Sequence, residues 1–116
     1  VGSEKNLLAL QIRTLCEHLG GQYTESGAYP AWEYKQESKL RDVMVAVYEE
    51  LYGGKPKLDV IHAGVECGLF MDKMKDLDCV SYGPQMYDIH TPNERLHVDS
   101  VQRTWEYTLE ILKRLK

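Results

Sequence analysis

The sequence predicts an α/β fold built around one parallel βαβ unit with flanking helices. Three observations lead there. The short apolar run Leu58–Ile61 in "KLDVIHAG" reads as a strand, "CGLFMDKM" as a short helix, and "LDCVSYG" as a second strand. Strand, helix and strand in that order form a crossover between parallel strands. On either side of this block, apolar residues recur at intervals of three and four, which is the period of a helix.

In chain order, Ser3 ahead of "EKN" offers an N-cap for a first helix. Leu8, Ile12, Leu15, Cys16 and Leu19 share one face of it, and Gly20-Gly21 supplies its stop. "QYTES" reads as a short strand led by Tyr23 and Thr24. Pro30 in "GAYPAWEYK" limits any ladder there to an edge or an end. A second helix is expected to start near Ser38, to bury Leu40, Val43, Met44, Val47 and Leu51, and to end at Gly53-Gly54. The last helix should begin at Asp99 or Ser100, with Val101, Trp105, Thr108, Leu109 and Leu112 inward. Its closing "KRLK" sets positive charge against the negative end of the helix dipole.

At 116 residues and 43% hydrophobic, the chain can bury one modest core. Its formal net charge of −4 is spread along the sequence, so no basic stripe invites nucleic acid or an anionic membrane surface. No apolar run approaches the roughly 20 residues that span a bilayer, and "VGSEKNLLAL" lacks a signal-peptide layout. Cys16, Cys67 and Cys79 are an odd count without close spacing, which points away from a disulfide framework or a structural zinc site. The expected setting is the cytoplasm, with no nucleic-acid or membrane partner.

Ligands gather beyond the carboxyl ends of strands in open α/β sheets. "HAGVECG" and "GPQMYDIHTPNER" both leave from such ends, so both loops are expected to face one crevice. Of the four histidines, His18 closes the first helix and suits a bond to a free carbonyl, while His97 sits just ahead of a helix cap. His62 and His90 belong to the strand-end loops. A loop imidazole serves either as a hydrogen-bonding group or as a metal ligand, and spacing alone leaves both readings open for His90. Between Gly64 and Gly68, Glu66 and Cys67 lie either in a plain tight turn or in a loop that receives a substrate carboxylate. A thiol nucleophile at Cys67 lacks a group to orient His62. Glu94 either caps the turn after Pro92 or supports His90 from behind, and Asp88 and Asn93 are turn formers. No HExxH, H-x-D or adjacent Glu-Glu is present, so a hydrolytic metal site with its three or more ligands and carboxylate base is incomplete.

"VIHAGVECGLF" followed by "SYGPQMYDIHTPNERLHVDSVQRTWEYTLEILKRL" closely resembles the C-terminal end of the aminoacyl-histidine dipeptidases of the M20 metallopeptidase family. The resemblance extends back through "GAYPAWEYKQESKLRDVMVAVYEELYGGKP". It implies the C-terminal part of an M20-type zinc peptidase, a two-metal enzyme that cleaves unblocked dipeptides, favouring C-terminal histidine. The histidine of the H-T-P loop, His90, would then be a metal ligand, with Glu94 behind it. His62, Glu66, Cys67 and Gly68 would border the pocket for the dipeptide's C-terminal end. Residues 1–35 would be the end of the lid or dimerisation domain, with its last helix and strand, and 36–116 part of the catalytic domain.

Members of that family are several times longer, and their other ligands and general base lie in a portion with no counterpart here. The expectation is therefore a fragment that is inactive alone, with one zinc ligand of a set and homodimerisation left open. The rival reading is a non-catalytic interaction module that keeps a peptidase fold.

Overall fold

The computed structural model describes residues 2–61 and 66–116. Among them are four helices and one small hairpin: α1 (Gly2–His18), α2 (Lys39–Tyr52), α3 (Glu66–Lys73), β1 (Met86–Tyr87), β2 (Arg95–Leu96) and α4 (Val98–Arg114). The chain divides into two units, residues 1–36 with 60–77 and residues 37–59 with 78–116.

The second unit contains the core. α2 begins where the sequence places it. Ser38 is extended, and its Oγ accepts the N–H of Arg41 at 3.0 Å. Asp78 completes this cap from far along the chain. Its carboxylate accepts the Ser38 hydroxyl at 2.7 Å and the Leu40 N–H at 3.0 Å, setting negative charge at the positive end of the helix. Gly53 then stops α2 in the left-handed conformation, at φ 72°, and its N–H reaches the carbonyl of Glu49. Such a cap needs a residue without a Cβ.

α2 buries Met44 and Val47 against Tyr107 and Ile111 of α4, and Leu40, Val43, Tyr48 and Val80 pack around them. Leu51, expected inside, is 46% exposed. Tyr107 organises this core. Its hydroxyl donates to the Met44 carbonyl at 2.7 Å, and its ring meets Tyr48 and Tyr82 edge to face, at 5.9 and 5.5 Å between centroids. Arg114 closes the far end by pairing with Glu50 through Nη1 and Oε1 at 2.8 Å and through Nη2 and Oε2.

The packed face of α4 is not the one its pattern suggests. Ser100, Tyr107 and Ile111 are buried, whereas Val101, Trp105, Leu109 and Leu112 are exposed. The reason is polar. The inward stripe carries groups that find partners, Tyr107 on Met44 and Ser100 on the hairpin, while the more apolar stripe lies a third of a turn away. α4 also starts at Val98, earlier than expected. His97 is itself the N-cap residue, with no side-chain cap bond.

In the first unit, α1 runs from Gly2, so Ser3 lies inside the helix instead of capping it. Gly2 N–H instead donates to Glu33 Oε1 at 2.9 Å. None of α1's residues is buried; Leu8, Ile12, Leu15 and Leu19 are 50–75% exposed. "QYTES" is not a strand. It folds back on the end of α1, where Cys16 Sγ meets the Gln22 carbonyl at 3.5 Å and the Arg13 guanidinium lies over the Tyr23 ring at 5.2 Å.

The expected parallel βαβ unit is replaced by a mostly helical arrangement. Its helix is present as α3, one residue earlier than expected, but neither flanking strand forms. Leu58, Val60 and Ile61 are 59–71% exposed, and among the described residues no strand pairs with them. The segment around Cys79–Tyr82 instead serves the core, through Val80 and through the Tyr82 hydroxyl, 2.8 Å from Thr108 Oγ1. Among the described residues the one sheet is the antiparallel pair β1–β2, with Met86 opposite Leu96 and Tyr87 opposite Arg95.

Candidate functional site

The two-residue strands β1 and β2 hold between them the loop 88–94, with His90 near its tip. Ser100 anchors the base of this hairpin. Its buried hydroxyl accepts the Gln85 N–H at 2.8 Å and donates to the His97 carbonyl at 2.6 Å, while His97 N–H donates back to Gln85 at 2.9 Å. Both ends of the hairpin are thereby tied to the first turn of α4.

Within the loop, Asp88 and His90 adopt positive φ, 52° and 64°. A side chain beyond Gly pays about 1–3 kcal/mol for such a conformation, and that strain persists only where its surroundings over-determine it. Here they do. The Asp88 carbonyl accepts both the Thr91 hydroxyl at 2.7 Å and the Thr91 N–H at 3.2 Å. Thr91 Oγ1 in turn accepts the Asn93 N–H at 3.2 Å, and the Thr91 carbonyl accepts the Glu94 N–H at 3.1 Å. Glu94 Oε2 accepts the backbone N–H of His90 at 2.9 Å. Its carboxylate therefore supports His90 through the main chain.

The result is an exposed imidazole on a loop whose backbone bonds are spent internally. Asp88, Pro92, Asn93, Glu94 and Arg95 line a shallow depression beside it. Among the described residues, no three His, Cys, Asp or Glu side chains converge as a ligand set for a metal ion. These residues offer one imidazole and do not by themselves fit a two-metal centre.

Of the other predicted site residues, Glu66, Cys67 and Gly68 lie in the first unit. His62 is outside the described residues. Glu66, Cys67 and Gly68 form the first turn of α3, where Glu66 is exposed and Cys67 and Gly68 are buried. Gly68 is there because main chain passes close by: a Cβ on it would stand 2.8 Å from the Pro30 carbonyl oxygen and 3.6 Å from Trp32 Cβ. The "YPAW" segment thus lies against α3. Desolvation, with the electrostatic influence of the neighbouring Glu66 and Cys67 adding to it, raises the Tyr29 phenol above its ordinary value. The resemblance takes in the Tyr29–Trp32 segment, but its packing on α3 is visible only in the structure. Sequence reasoning missed Arg95 at the neck of the hairpin, which gains meaning only once its pairing with Tyr87 is known.

The hairpin loop, the α2–α4 core and the motifs around them define the class. Residues 18–114 match the model of peptidase family M20/M25/M40, and the chain belongs to that family, whose members are metal-dependent. It is 32% identical over 115 residues to the cytosol non-specific dipeptidase of Escherichia coli (strain K12), a match that takes in 99% of this chain and 24% of that protein. It also superposes on the crystal structure of aminoacylhistidine dipeptidase from Vibrio alginolyticus. There the TM-score is 0.82 and the identity 35%, across 98% of this chain and 23% of that one. The chain spans about a quarter of the length of these relatives. No helix among the described residues is long and apolar enough to cross a membrane.

Proposed function

We propose that this chain forms part of a cytoplasmic metal-dependent dipeptidase that hydrolyses unblocked dipeptides, including those ending in histidine, and that His90 is one of its metal ligands. The observation that carries the reading is the loop 88–94. It holds an exposed histidine in a left-handed conformation through five internal bonds, a cost without return unless the position of that imidazole matters. Zinc is the metal proposed, since neutral imidazole suits it well. Glu66, Cys67, Gly68 and His62 are proposed to border the C-terminal end of the dipeptide. With one imidazole in the loop 88–94 and no ligand set converging among the described residues, the 116-residue chain alone is expected to show no turnover.

The test uses a protein of the relatives' length that carries this segment. His90→Ala is expected to lower its zinc content and remove most turnover of a Xaa-His dipeptide. Full zinc occupancy and unchanged turnover in the variant would overturn the ligand assignment. A second reading, a non-catalytic interaction or dimerisation module, is favoured by the lack of a converging ligand set among the described residues. It would gain if the chain alone formed a defined homodimer without metal.

A further inference from the structure

We infer that Arg95 is a positioning residue for His90, acting through Asp88 across the neck of the hairpin. The inference deepens the ligand reading of His90 and rests on it for its functional meaning, though its geometric part stands alone. The other bonds of the loop run between residues two to four apart and can form only once the chain has already turned. The Arg95–Asp88 contact is different: Nη2 donates to Oδ2 at 2.7 Å, joining the first residue of β2 to the first residue after β1.

The antiparallel register explains why arginine suits this place. Tyr87 and Arg95 are direct cross-strand partners, so their side chains share one face of the hairpin. The guanidinium lies 5.6 Å from the Tyr87 ring centroid and reaches Asp88 from there. A planar cation can stack on the ring and direct an N–H at the carboxylate together, whereas an ammonium group offers only a point charge. Asp88 is then fixed at two atoms, its carboxylate by Arg95 and its carbonyl by Thr91. That pins the first of the two left-handed residues and, two positions on, sets the direction in which His90 leaves the loop.

Both partners are largely exposed, with 69% and 48% of their side-chain surface accessible. Such pairs add little to global stability. The clip should therefore show in the conformation of one loop and not in the melting of the whole chain, which separates a positioning role from a merely structural one.

The test is nuclear magnetic resonance on the 116-residue chain, comparing wild type with Arg95→Gln, Arg95→Lys and Asp88→Asn. The expected result is that Arg95→Gln and Asp88→Asn shift the backbone resonances of Asp88 to Thr91 alike. The His90 amide order parameter should fall from the roughly 0.85 of rigid backbone toward 0.6 or below. Arg95→Lys should fall between, and thermal midpoints should move by no more than a few degrees. Wild-type shifts and order at His90 in both Arg95→Gln and Asp88→Asn would overturn the inference. Zinc content of the His90→Ala variant in a protein of the relatives' length separates it from the ligand reading. Unchanged zinc content there would sink the ligand reading while the clip still stands on the backbone data.

Discussion

α1 and α4 are each 17 residues long, and both carry leucines and isoleucines at helical spacing. α4 buries three residues and α1 none. Composition does not separate them. α4 faces α2, which presents Met44 and Val47, and it offers a tyrosine whose hydroxyl completes a bond to the α2 backbone. Among the described residues, α1 meets the irregular segment after it, through Gly2–Glu33 and the Lys5 ammonium on the Tyr29 carbonyl. An amphipathic pattern records that a helix can pack; the partner decides whether it does. The same contrast recurs within α4, where the buried stripe holds Ser100 and Tyr107 while Trp105 on the more apolar stripe is 59% exposed.

The sharpest way to break this contrast is at Tyr107. Tyr107→Ala is expected to destabilise the chain by about 3–5 kcal/mol, the usual range for removing a buried aromatic ring, as measured by urea unfolding. A loss below about 1 kcal/mol would mean that the α2–α4 core is not what holds this unit together. The next effect is on pH. Burial, with the neighbouring Tyr82, Tyr52 and Tyr48 phenols adding to it, pushes the Tyr107 phenol up from 10.0 to about 12. A raised folded-state value means that the folded chain keeps its proton where the unfolded chain has lost it. This stabilisation is fully present below pH 10 and is lost as pH rises from 10 toward 12, by roughly 2 kcal/mol. Tyr107→Phe should flatten that part of the profile.

Asp78→Ala comes next, at about 1–2 kcal/mol, because it strips two partners from the start of α2. Its circular dichroism should show fraying confined to that helix. Smallest are Trp105→Ala and Leu15→Ala, expected to cost about 0.5 kcal/mol or less, as at other exposed positions. A loss above 2 kcal/mol at either would show that its face is covered in solution. At the far end of the α2–α4 pair, Arg114 holds the Glu50 carboxyl below its ordinary value. Both groups are exposed, so this pair should only soften the acid limb of the transition, as pH falls through the depressed Glu50 value.

What could be read from the sequence follows the range of the interactions. The ends of α2 were legible because Ser38 and Gly53 act on their own neighbours. The contribution of Asp78 to that cap was not, since Asp78 lies 40 positions from Ser38. The short apolar run in "KLDVI", and "LDCVSYG" after it, marked segments suited to a sheet, but a strand exists only with a hydrogen-bonded neighbour. His90 stood out because it belongs to a strand-end loop, beside Thr91 and Pro92. That Glu94 serves the His90 backbone, and that Arg95 reaches Asp88, depends on the hairpin register, which neither two-residue strand announces in sequence.

The passage of Pro30 beside Gly68 has a consequence for the mutational record of this chain. With the carbonyl oxygen 2.8 Å from where a Cβ would sit, position 68 should be intolerant of every replacement, alanine included, because main chain cannot step aside as a side chain can. Gly54 and Gly83, with nothing within 4 Å, should accept alanine freely. A saturation library selected for folded protein would thus return position 68 as a single letter, and the identity of that letter would be set by an oxygen atom 38 residues earlier in the chain.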